Sequence, residues 1–188
     1  MIIGIAGRIA AGKETLTSFL RERGFIYLET SKMLTEELIK QGLEPSRWNQ
    51  QNLADGWRKQ HGVGAIMKML LEKTESGKNY IFDSLRNAGE AEFLRKNVKD
   101  FFLIGVDAEQ KVRFERVLKR NKGSDPKIWE EFLKVDSRDF FDEKDPMGQQ
   151  VGKLLEMADF RIDNSELGKS MQEIEEIWEK IKKQNIGI

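Results

Sequence analysis

The first fifteen residues constrain the fold more than any other stretch. Ile2 to Ala6 is a short apolar run with the β-branched content of a buried strand. It enters Gly7-Arg8-Ile9-Ala10-Ala11-Gly12-Lys13, which fits the spacing G-x-x-x-x-G-K. Gly7 and Gly12 permit positive φ or a close approach of backbone to ligand, so that successive N–H groups face inward around phosphate oxygens. Lys13 adds a point charge at the start of a helix whose N-terminal dipole already favours an anion. Leu16, Phe19 and Leu20 give that helix an i, i+3, i+4 apolar stripe, and Gly24 can end it. Strand, glycine loop and amphipathic helix in this order read as a phosphate-binding loop. One position departs from the pattern: Glu14, then Thr15, follow Lys13 where a Ser or Thr hydroxyl would hold magnesium.

A chain of 188 residues without a Pro/Gly/Ser-rich linker suits one domain, expected over residues 1–188. Lys and Arg number 32, as do Asp and Glu, so no basic field argues for a nucleic-acid partner and any anion site must be local. With no Cys, thiol catalysis, thiolate metal sites and disulfides are excluded. Met1 leads straight into the first strand, and no run approaches about 18 apolar residues. A soluble, cytoplasmic chain without a membrane partner is expected, as monomer or homodimer. His61 is the only histidine, which gives histidine metal clusters and Ser-His-Asp catalysis little support; before Gly62 it reads as a helix C-terminal cap.

Strand-like runs recur at Ile2 to Ala6, Phe25 to Leu28, Tyr80 to Asp83, Phe101 to Val106 and Asp159 to Ile162, with helical patterns between them. This alternation predicts an α/β fold with a parallel sheet and helices on both faces. The stretch from about residue 31 to 76 reads as three helices, more than a simple crossover needs. Ser31 is placed to cap the first, the second restarts at Pro45-Ser46 with Arg47, Trp48, Trp57 and Arg58, and Gly62 precedes the third. Such an excursion beside a phosphate loop can form one wall of an acceptor site.

Asp83 ends the third strand, and carboxyl ends of parallel strands face the ligand crevice of open α/β sheets. Asp83 is placed to hold magnesium through water, and Arg86, three residues on, to grip a phosphate with its planar fork; capping of the next helix is the alternative for Asp83. After the fourth strand, Val112, Phe114, Val117 and Leu118 form an inward face, with Arg113, Arg116 and Arg120 around it. Residues 127–145 alternate in charge and carry Arg138; such a pattern usually marks a solvated helix, yet arginines on an arm are what phosphoryl transfer uses. Ser170-Met-Gln-Glu173 reads as a capping box opening a core-facing final helix.

In this order, Gly-Lys-Glu-Thr15, Gly42-Leu-Glu-Pro-Ser-Arg47, Asp83-Ser-Leu-Arg86, Arg113-Phe-Glu-Arg116 with Arg120, and Ala158-Asp159 leading to Asn164 resemble the small P-loop kinases related to dephospho-coenzyme A kinase and deoxynucleoside monophosphate kinases. The similarity covers nearly the whole chain. It implies a P-loop NTPase-type three-layer sandwich: a sheet of about five parallel strands, a helical acceptor-site excursion, and a helical lid over about residues 121–145. It also implies ATP and Mg2+ as cofactors. Gly7, Ala10, Ala11, Gly12, Lys13, Glu14 and Thr15 would surround the phosphates, and Asn164 would lie beside the adenine. Lys13, Asp83, Arg116, Arg120 and Arg138 would serve transfer, with Arg116 and Arg120 reaching the transferring group from the lid. Ser31, Arg47, Arg58 and Arg86 would line the acceptor side, and Glu14 and Asp83 would hold the metal through water.

The reading that follows is ATP-dependent phosphoryl transfer to a phosphate-bearing small molecule of nucleotide type, such as a dephospho-coenzyme A-like or deoxynucleoside monophosphate-like acceptor. Glu14 supports the alternative, a nucleotide-binding switch or regulatory module without efficient turnover.

Overall fold

The computed structural model describes residues 1–121, 125–141 and 147–186, and no side chain at positions 47, 48, 51, 185 and 186. Five strands, β1 (Ile2–Gly7), β2 (Ile26–Glu29), β3 (Tyr80–Asp83), β4 (Phe101–Asp107) and β5 (Phe160–Asp163), pair in the order β2-β3-β1-β4-β5, all parallel. The central strand β1 is buried along its whole length, as a strand covered on both faces must be. Its register sets Ile5 opposite Asp83 on one side and Ile104 on the other. The carboxyl end of β3 therefore lies beside the start of the glycine loop.

Strand alternation divides the apolar residues between two cores. Ile3, Ile5, Ile81, Ile104 and Ile162 face α1 (Lys13–Arg21) and α9 (Leu167–Ile186), which contribute Leu16, Phe19, Leu20, Ile174, Ile177 and Ile181. Ile2, Ala6, Phe82 and Leu103 face the other way, beneath Met67 and Leu70 of α4 (Ala65–Leu71), Leu94 of α5 (Ala88–Asn97) and Leu154 of α8 (Val151–Met157). This is the expected α/β sandwich. A third, smaller core joins Ile9 of the loop to Val117 of α6 (Gln110–Arg120) and Phe132 of α7 (Trp129–Phe140). Phe114 stands edge-on to Trp129 there at 5.2 Å between centroids.

The excursion comprises α2 (Thr30–Lys40), α3 (Arg47–His61) and α4, close to the expected span. The expected lid contains α7, while residues 122–124 and 142–145 of it lie outside the described residues, as does Pro146.

Four local expectations are corrected. α2 begins at Thr30, so Ser31 sits inside its first turn and donates to the Glu29 carboxylate instead of capping. Asn87, in a capping box with Glu90, caps α5, which leaves Asp83 without that task. α6 buries Arg113 and leaves Leu118 exposed, because a carboxylate on α7 satisfies the guanidinium. α9 begins at Leu167, so Ser170 lies within the helix and Glu173 accepts from the Asp163 amide. Ser46 does cap α3, accepting from Asn49 N at 3.2 Å, and His61 occupies its last turn before Gly62.

Candidate functional site

The glycine loop is held open by what touches its carbonyls. Ala10 and Gly12 are left-handed, at φ 56 and 80. A Cβ on Gly7 would lie 2.6 Å from the Val106 carbonyl, and one on Gly12 2.1 Å from Asn164 Nδ2, so neither position admits a side chain. Asn164 Nδ2 donates to the carbonyls of Ala11 and Gly12 at 3.0 and 3.1 Å. Arg116 donates to the Ala11 carbonyl at 3.3 Å and to the Asn164 carbonyl at 2.6 Å. The Ala11 N–H is taken within the loop, donating to the Arg8 carbonyl at 3.2 Å, while the carbonyls engaged by these side chains are kept from opposing an anion in front of the loop. Asn164 and Arg116 thus brace the loop, and Arg116 does not line the cavity in front of it, contrary to its expected place at the transferring group.

That cavity measures about 590 Å3 and runs from the loop to the helical excursion. Lys13, Arg86, Arg120 and Arg138 line it, with Ser31 and Gln50 towards the excursion. Its cations divide into two kinds. Arg120 is held by Asp125 through two bonds of 2.6 and 2.7 Å. Arg58, 5% exposed, donates twice to Glu90 and once to Asp55, so its charge is compensated within the fold, unlike its expected place on an acceptor wall. Arg8 and Arg113 both grip Asp136 of α7, and Gln110 adds a third donor at 3.0 Å. Burial pushes the Asp136 carboxyl up, but bonds from Arg113 and Gln110 and the charges of Arg113 and Arg8 outweigh it and leave it below the usual carboxylate range. In contrast, Arg86 Nη1 is buried with no hydrogen-bond partner, and neither Lys13 nor Arg138 has a hydrogen-bond or ion-pair partner among the described residues. Burial, reinforced by Arg86 and Arg120, lowers the Lys13 pKa against the opposing charges of Asp83 and Asp139.

Asp83 is buried, its Oδ2 accepts from the Tyr27 hydroxyl at 2.7 Å, and its Oδ1 has no partner. No group of three or more His, Asp or Glu side chains that could enclose a metal exists among the described residues. Asp83 lies behind the cavity wall, which its neighbour Ser84 lines, and its charge acts on Lys13; a magnesium ion that keeps most of its waters needs only one or two protein oxygens, and the orphaned Asp83 Oδ1 would supply one. Glu14 would not: it is exposed on the first turn of α1 and is absent from the cavity wall. Thr15 sits in the same turn, its N–H donating to the Gly12 carbonyl at 3.1 Å, and does not line the cavity. The Arg47 side chain lies outside the described residues.

Sequence reasoning missed Tyr27, Glu90, Asp125, Asp136 and Asp139. A signal existed for one group: Phe132, Asp136 and Asp139 fall at i, i+4 and i+7, one helical face on which both carboxylates are buried. Tyr27 and Glu90 meet Asp83 and Arg58 across 56 and 32 residues, whereas Asp125 lies only five residues from Arg120 and Glu90 also stands three residues after Asn87 in a capping box.

Residues 3–137 match the model of a family described as an AAA domain. A UPF0200 protein of Sulfurisphaera tokodaii is 32% identical over 181 residues, covering 96% of this chain and 97% of that protein. A UPF0200 protein of Aeropyrum pernix is 30% identical over 166 residues, covering 88% and 84%. Among solved structures, TT1252 from Thermus thermophilus aligns with a TM-score of 0.60 at 18% identity, covering 98% of this chain and 97% of that one. The shikimate kinase of Aquifex aeolicus aligns at 0.57 and 16%, covering 100% of both. At these identities the structural likeness concerns the P-loop fold.

Proposed function

We propose, from the premise that this chain belongs to the AAA domain family and to the UPF0200 family, that it is a kinase transferring the γ-phosphoryl group of ATP to a phosphate-bearing small molecule of nucleotide type. The observation that carries this reading is that Lys13 and Arg86, both half-buried, and the exposed Arg138 line one cavity with no side-chain hydrogen bond or ion pair among the described residues, whereas the buried Arg58 and Arg113 are paired with carboxylates. Keeping a partly buried charge uncompensated costs stability, which a ligand of opposite sign would recover.

In this reading the loop N–H groups and Lys13 take the ATP phosphates. Arg86 takes the acceptor's anionic group, and Arg138 meets the charge that spreads over the transferring oxygens. The acceptor hydroxyl oxygen bonds to the γ-phosphorus as the bond to the β-bridging oxygen breaks; ADP leaves, and Asp83 orients the hydroxyl and receives its proton. When bound, magnesium, held through water by Asp83, would neutralise phosphate charge. Shikimate kinase, which resembles this chain only in fold, adds support for small-molecule transfer without naming the acceptor.

Acceptor-dependent ADP release, measured by a coupled assay over a panel of phosphorylated small molecules, tests the proposal. Release that requires both an acceptor and Lys13 is expected. Tight ATP binding with no acceptor-dependent release would favour the binding-module alternative.

A further inference from the structure

Asp83 is a sheet carboxylate whose charge acts on Lys13, and what aims it is not obvious from its neighbours in the chain. The strand register supplies the answer. Tyr27 pairs with Ile81 and Glu29 with Asp83, so Tyr27 lies on the same sheet face as Asp83, two residues lower on the adjacent strand. A ring at that diagonal position is long enough to reach up the face, and the Tyr27 hydroxyl does so, donating to Asp83 Oδ2 at 2.7 Å. The next residue, Ser84, is left-handed at φ 65, and Thr30 Oγ1 donates to the Asp83 carbonyl at 3.3 Å. The backbone on either side of the carboxylate is thereby fixed as well.

We infer that Tyr27 is a positioning residue for the transfer reaction: by occupying Asp83 Oδ2 it fixes the carboxylate and reserves Oδ1 for the acceptor hydroxyl or a water on magnesium. The inference rests on the kinase reading above. Two observations carry it independently of any ligand, the donated bond and the buried Oδ1 left without a partner. The ring is itself held: it packs against the core that α1 and α9 cover, and the Arg21 guanidinium lies over it at 5.9 Å from the centroid. A hydroxyl on a ring held this way is pre-organised, so the carboxylate it binds needs little further ordering when substrates arrive.

The test uses the full chain and the variants Tyr27→Phe, Asp83→Asn and both together. Outer partners of a ligating or reacting carboxylate typically matter by about 10- to 100-fold in activity or metal affinity. Tyr27→Phe is therefore expected to lower kcat by about tenfold or more while leaving the KM for ATP within about twofold. Calorimetric titration of Mg2+ into the ADP complex should show a comparable weakening, a readout that needs no turnover. In the Asp83→Asn background the same Tyr27→Phe change should alter Mg2+ affinity by less than about twofold, because its effect passes through the carboxylate. An unchanged kcat and Mg2+ affinity in folded Tyr27→Phe would overturn the inference. Equal losses with and without Asp83 would overturn it too, since a merely structural role needs no carboxylate. If the unmodified chain transfers no phosphoryl group but Tyr27→Phe still weakens Mg2+, the kinase reading fails and the positioning role stands.

Discussion

The two walls of the cavity use the same residue types to opposite ends. On the wall that carries the glycine loop and the end of β3, Lys13 and Arg86 have no side-chain hydrogen-bond or ion-pair partner among the described residues. On the side of α6 and α7, Arg8, Arg113 and Arg120 are bound to Asp136 and Asp125, with the exposed Arg138 as the exception, and Arg58 is bound to Glu90 and Asp55 where the excursion meets α5. The paired arginines hold elements together: Arg113 and Asp136 are 1% exposed each and tie α6 to α7, while Arg8 ties α7 to the loop. The side chains of Lys13 and Arg86 tie no two elements together among the described residues. A positive residue near a phosphate loop is therefore a candidate ligand only when the fold leaves its charge uncompensated.

That contrast predicts effects of graded size. Lys13→Met should lower phosphoryl transfer by about 100- to 1,000-fold, and since burial disfavours the Lys13 charge, thermal denaturation should show a midpoint no lower than that of the parent. A variant that unfolds would place Lys13 among the structural cations. Asp136→Ala leaves Arg113 buried without its carboxylate and should cost about 3–5 kcal/mol in stability, the usual cost of removing one partner of a buried pair, read by urea denaturation.

The same carboxylate fixes an acid limit. The folded pKa of Asp136 lies below its unfolded one, so its contribution is complete above the unfolded carboxylate range near about pH 4 and is lost as pH falls through the folded value. Melting temperatures measured from about pH 6 to 3 should fall at the low end, and Asp136→Asn should flatten that fall. The smallest effect is expected at Glu14, exposed and outside the cavity: Glu14→Ala should change kcat and Mg2+ dependence by less than about twofold, and a larger change would return it to the metal site.

The sheet was legible because its signals are local. β1 declares itself by an apolar run and the loop by glycine spacing, and the five expected strands lie within a residue of those observed. Burial on both faces leaves such strands little room to read otherwise. The site was legible as a set of charged residues but not as a set of available charges. Nothing near Arg58 in the chain announces Glu90, which lies 32 residues away, and nothing near Arg8 announces Asp136, 128 residues on. Arg113 was read as a surface residue beside Leu118, and the fold reversed the two because α7 brings a carboxylate where water was expected. Pairing across distant segments is set by topology, and no local periodicity carries it.

Arg86 and Arg58 bring the comparison to one point, since both line the cavity and both were expected to meet the acceptor. Thermal denaturation of Arg86→Ala beside Arg58→Ala separates a charge held for a ligand from one used by the fold. Arg58→Ala, which strands buried Glu90, should melt roughly 10 °C below the parent, while Arg86→Ala should melt at or above it. Equal destabilisation by both would mean that Arg86 is as much a structural cation as Arg58, and the division of the cavity into a free wall and a paired wall would be wrong.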